Sequence, residues 1–170
     1  MDYSKLDPGQ FDAIVTGDLA HYAISLESGL CSIICDHFAP GHRSADFRRL
    51  ILDREGLTFQ HKIDIVKAML PFFPNQVAAH KLKGHLKKIE EYKDLRNALA
   101  HGKAVTPPDA PSDSNSLEFS VETVSRSGKR KETIAITPKS RRALLWEMYA
   151  VILDLEKIRN EIQRPTHRAD

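Results

Sequence analysis

The stretch Asp94-Leu95-Arg96-Asn97-Ala98-Leu99-Ala100-His101-Gly102 gathers a guanidinium, a carboxamide and an imidazole within six residues. A guanidinium keeps its charge at neutral pH, and its fork of donors matches phosphate oxygens. An imidazole takes and gives protons near neutrality, and a carboxamide both donates and accepts hydrogen bonds. Three further groups of residues compete for attention. Cys31, Cys35, His37 and His42 are spaced as C-x3-C and H-x4-H, within the range of zinc ligands. One residue between the two pairs is too few for a folded zinc loop, and two cysteines one turn apart on an apolar helix are read as small buried hydrophobes. His80 and His85 lack the H-E-x-x-H pattern and are expected to decorate a solvated basic face. Arg126-Ser127-Gly128-Lys129-Arg130-Lys131 places four cations in six residues, a weak phosphate-binding candidate to which Lys93 is added. No metal or cofactor is expected.

Positioning these groups falls to a set of helices. From about Thr16 to Cys35, Leu19, Ala20, Ala23, Ile24, Leu26, Leu30, Ile33 and Ile34 recur at threes and fours, the period of one helix face. Pro40-Gly41 breaks the chain, and Ser44 is read as the cap of a short helix carrying Phe47, Leu50 and Ile51. Thr58 caps a third helix with the stripe Phe59, Ile63, Val66, Met69 and Leu70, which Pro71 and Pro74 stop. Asn75 opens what reads as the longest helix, with Ala78, Leu82, Leu86, Ile89, Tyr92, Leu95 and Leu99 as its apolar stripe and Gly102 at its end. Residues 103–116 are rich in Pro and Ser and read as a flexible connection. The period then changes to two over Leu117, Phe119 and Val121, and again over Ile134 and Ile136, which predicts a β-hairpin within 117–137 with a basic tip. Thr137-Pro138 opens a last helix through Leu145, Met148, Ile152, Leu155, Ile158 and Ile162 to about Arg164. The expected fold is mainly all-α: a four- to five-helix bundle, one domain over residues 1–170, with a β-hairpin inserted before the last helix.

Composition narrows the function classes. At 170 residues, 41% hydrophobic and 28% charged, the chain is long enough for a core and is not a disordered tail. The longest apolar run, Met148 to Leu153, is far short of the roughly 20 residues a membrane span needs. No basic start followed by an apolar core opens the chain, so a cytoplasmic location is expected. The net charge of +2 conceals a layout of +4 over 76–103, −4 over 104–125 and +6 over 126–142. Two basic segments flanking an acidic one suit a local anionic partner, or pairing among themselves.

Arg96-Asn97 and His101 resemble the R-N-x-x-x-H signature of HEPN domains, small helical bundles many of which are metal-independent ribonucleases. Asn directly after Arg, the small Ala98 and Ala100, and Gly directly after His101 mark the match; the likeness covers roughly residues 16–102, with Leu57 to Ile63 similar to the segment before the motif helix. The resemblance implies an active site of Arg96, Asn97 and His101, duplicated across a homodimer, and a toxin or defence role with an antitoxin partner. RNA cleavage without metal needs a base for the 2′-hydroxyl, an acid for the leaving 5′-oxygen, and positive charge on the phosphoryl oxygens. His101 supplies the first or second, Arg96 the third, and Asn97 orients the imidazole or the phosphate. At 100° per residue Arg96 and His101 lie about 140° apart, whereas Asn97 and His101 share a face turned from the Tyr92–Leu95–Leu99 stripe. A second subunit packed over Ala98 and Ala100 would turn that face into a cleft. The structural alternative ties Arg96 to a carboxylate and leaves His101 at the negative end of its helix. The functional alternative is a non-catalytic module of the same fold that binds protein or nucleic acid.

Overall fold

The computed structural model describes residues 5–101, 119–124 and 130–164; of Pro8, His101, 119–124 and 130–134 it describes the backbone alone. The fold is all-α in the main: α1 (Pro8–Phe38), α2 (Ser44–Phe47), α3 (Phe59–Met69), α4 (Gln76–His101) and α5 (Pro138–Ile162), with strands β1 (Phe119–Val124) and β2 (Arg130–Ile136) before α5. No helix among the described residues is long and apolar enough to cross a membrane. Gly102, the connection 103–116 and the hairpin tip 125–129 lie outside the described residues.

Capping side chains set most helix starts. Thr58 accepts from the His61 amide while the His61 ring reaches back to the Thr58 N–H, a reciprocal capping box for α3. Asn75 Oδ1 accepts from the Ala78 amide at 3.0 Å and opens α4, and Thr137 Oγ1 accepts from Ser140 at 3.1 Å at the head of α5. These starts agree with the sequence expectation. The first helix begins earlier than expected: Asp7 and Gln10 cap each other's backbone amides at 2.9 and 3.0 Å, and α1 runs 31 residues against 26 for α4, so α4 is not the longest. Ser44 is not a cap either. It is the first residue of α2, its hydroxyl bonds to Cys35, and the chain continues as a single wide turn over Arg48–Leu52. Leu52 is the residue buried there, while Leu50 and Ile51 are exposed.

The chain divides into two compact units, residues 1–23 with 91–149 and residues 24–90 with 150–170. In the first, Phe11, Val15 and Leu19 of α1 are buried with Tyr92 and Leu95 of α4, Met148 of α5 and Ile136 of β2. Arg141 Nε donates to Asp18 at 2.8 Å. β1 and β2 pair antiparallel, the hairpin the two-residue period predicts, with Phe119 opposite Ile136 and Val121 opposite Ile134; the register slips after Thr123 and leaves Lys131 as the extra residue of a bulge.

In the second unit, Leu30, Ile34, Ile63, Leu82, Leu86 and Leu155 are among the residues that form the core. Ile24, expected inside, is largely exposed. Arg159 grips Asp36 at 2.5 and 3.0 Å, and Gly29 lies so close to α5 that a Cβ there would sit 3.2 Å from Leu155 Cδ1. Lys62 is buried, and its ammonium meets Glu27 Oε1 at 2.6 Å, which satisfies a charge that burial would otherwise penalise.

Candidate functional site

The last two turns of α4 carry the motif. Tyr92 and Leu95 are buried on one side and hold this end of α4 in place, while Arg96, Asn97, Ala98 and Leu99 are half-buried and Ala100 is exposed. The Tyr92 hydroxyl donates to Glu147 Oε2 of α5 at 3.4 Å; burial first, and then the Glu147 charge, pushes its pKa up to about 12, so it remains a neutral donor at physiological pH. Lys93 is 8% exposed with its Nζ 2.8 Å from Asp94 Oδ1, so a phosphate contact from Lys93 first requires that pair to open.

Arg96 Nη1 donates to Asn97 Oδ1 at 3.0 Å. The bond uses the amide oxygen and leaves the rest of the guanidinium fork and the Asn97 NH2 donors for other partners. Among the described residues no carboxylate forms an ion pair with Arg96. His101 is the final residue of α4, so the three motif residues share one uninterrupted helix, and the side chain of His101 lies outside the described set. Arg126 and Lys129 also lie outside it; Arg130 and Lys131 open β2, and their side chains are not described.

Among the weaker candidates, Cys31 and Cys35 are buried free thiols, and burial pushes both up from their ordinary range. His37 packs edge-on against Phe38 and Phe73, and His42 is exposed. His80 is exposed as expected, but His85 is not a solvated decoration: it is half-buried with Nε2 3.6 Å from Asp154 Oδ2, and burial lowers its pKa in spite of that carboxylate. A second surface constellation escaped the sequence reading. Lys139, Arg142, Trp146 and Tyr149 stand exposed along α5, with Trp146 at 66%. The signal was available, because Trp146 falls about 160° around the helix from the buried Met148, and Tyr149 about 160° from the buried Val151.

No protein-family model, no curated protein and no solved structure matches the chain. The likeness to HEPN domains therefore rests on the motif residues themselves.

Proposed function

We propose that the chain is a metal-independent endoribonuclease of the HEPN type that cleaves RNA by attack of the 2′-hydroxyl on the adjacent phosphate, acting as a two-fold dimer. What supports this reading is the partner of Arg96. An arginine that serves only the fold is expected to be tied to a carboxylate, whereas among the described residues the partner of Arg96, on its half-exposed helix end, is the neutral amide of Asn97 at 3.0 Å. A guanidinium held by a neutral group keeps its full charge for the phosphoryl oxygens, where negative charge grows in the transition state. His101, one turn after Asn97 on the same helix, moves the proton of the 2′-hydroxyl or of the leaving 5′-oxygen. The neighbouring hydroxyl is the nucleophile, so the product carries a 2′,3′-cyclic phosphate. A toxin or defence role held in check by an antitoxin protein is part of the same proposal.

The test is incubation of the purified protein with total RNA in the presence of a chelator. Discrete fragments ending in 2′,3′-cyclic phosphate are expected. Cleavage that requires added magnesium, or that proceeds equally on DNA, overturns the mechanism.

A further inference from the structure

The solvent face of α5 in the first unit carries a pattern that a helix packed on a core does not need. Lys139, Arg142, Trp146 and Tyr149 follow one another at steps of three and four, and so lie within about 80° of arc. All four are exposed; Trp146, the single tryptophan of the chain, is 66% exposed, and its ring meets Tyr149 edge-on with centroids 6.0 Å apart. Trp146 and Arg142 stand between two shallow grooves of about 440 and 410 Å³, the first completed by Tyr22, Arg141, Leu145 and Tyr149, the second by Pro138, Lys139 and Ala143. Arg141 is engaged by Asp18, and Glu147 by the Tyr92 hydroxyl. Among the described residues neither Lys139 nor Arg142 has a carboxylate partner. The first turn of α5 holds no acid, so Lys139, its second residue, sits where the helix dipole is also positive, an arrangement that costs the isolated helix stability.

We infer that this stripe is a stacking platform for single-stranded RNA, with bases on the rings of Trp146 and Tyr149 and backbone phosphates on Arg142 and Lys139. The inference rests on the ribonuclease reading above and names where that enzyme holds its substrate: α4 carries the motif and α5 the platform in the same compact unit. Aromatic faces take any unstacked base, and the two cations beside them hold the phosphates, a combination that suits single-strand binding. A duplex hides its base faces and offers nothing for Trp146 to stack on. Two cations without carboxylate partners among the described residues favour an anionic occupant over a second copy of the same basic stripe, and the experiment separates the two.

The experiment uses the intact chain and a 2′-O-methyl oligouridylate of about twelve nucleotides, which fits single-strand site sizes and has no free 2′-hydroxyl to react. Trp146 is the only tryptophan, so its fluorescence reports on the stripe alone. Saturable quenching is expected. By anisotropy of the labelled strand, Trp146→Leu should bind about tenfold or more weakly and Trp146→Phe should recover most of the loss. Arg142→Glu should lower affinity and make it less salt-dependent. Far-UV circular dichroism shows that each variant is folded, as its exposed position predicts. Binding without quenching, equal affinity of Trp146→Leu, or equal quenching by an abasic strand overturns the platform. An emission shift with protein concentration and no RNA assigns the stripe to a second copy and also overturns it. Quenching by the 2′-O-methyl strand with no cutting of unmodified RNA leaves the platform standing and removes the nuclease; cutting of unmodified RNA with Trp146 silent does the reverse.

Discussion

At the scale of single residues, Arg96 and His85 each have a partner that decides their character. Arg96→Ala and His101→Ala are expected to lower RNA cleavage at least about a hundredfold, since each removes transition-state charge stabilisation or proton transfer. The melting temperature should hardly move, because Arg96 is half-exposed and, among the described residues, bonded only to its neighbour's amide. A loss of stability with no nuclease activity to lose would favour the structural alternative. His85 supports a prediction about pH. Unfolded, its imidazole protonates near 6.5; folded, burial holds it neutral to lower pH, with Lys88 adding to that effect and Asp154 opposing it. Between those values the unfolded chain binds more protons than the folded one, so stability attributable to His85 is present above about pH 6.5 and is lost as pH falls toward the depressed folded value. His85→Gln should flatten the decline of melting temperature on acidification from pH 7, and an unchanged slope would refute this account.

At the scale of elements, the helix starts are local chemistry and were mostly legible. Thr58, Asn75 and Thr137 each cap within three residues, a distance over which sequence alone names both partners. Asp7 and Gln10 make the same kind of box, yet the expected start fell near Thr16, because Phe11 and Val15 are spaced at fours ahead of the denser stripe. Helix glycines divide by what surrounds them. A Cβ on Gly84 meets nothing within 4 Å, so Gly84→Ala should stabilise by roughly 0.5–1 kcal/mol through backbone entropy. Gly29 is different, because a branched side chain there must displace Leu155; Gly29→Val should destabilise by about 1–3 kcal/mol. Denaturant melts of the two variants check both signs.

At the scale of the whole molecule, Asp18–Arg141 and Asp36–Arg159 each join α1 to α5 at the same sequence offset of 123 residues, one pair in each compact unit. The proposed dimer belongs to this scale. Half-buried Ala98 and exposed Ala100 beside Asn97 leave the end of α4 open to close approach by a second helix, so sedimentation at micromolar concentration should show a two-fold dimer. Monomer alone across that range would remove the two-subunit cleft, although the chemistry within one chain would stand.

Periodicity and capping by themselves determined the helical class, the order of elements and the presence of a hairpin before α5, because each depends on residues whose spacing is written along the chain; the register that sets Phe119 opposite Ile136 came only with the structure. The motif was legible for the same reason: Arg96, Asn97 and His101 lie on one helix. Partners distant in sequence were not legible. Nothing local says that Ile24, Leu50 and Ile51 face solvent while Leu52 turns inward, that His85 is sheltered beside Asp154, or that Lys62 is buried against Glu27. A hydrophobic period names a face of a helix, but only packing decides what covers that face, and the same packing left Trp146 outside beside Arg142.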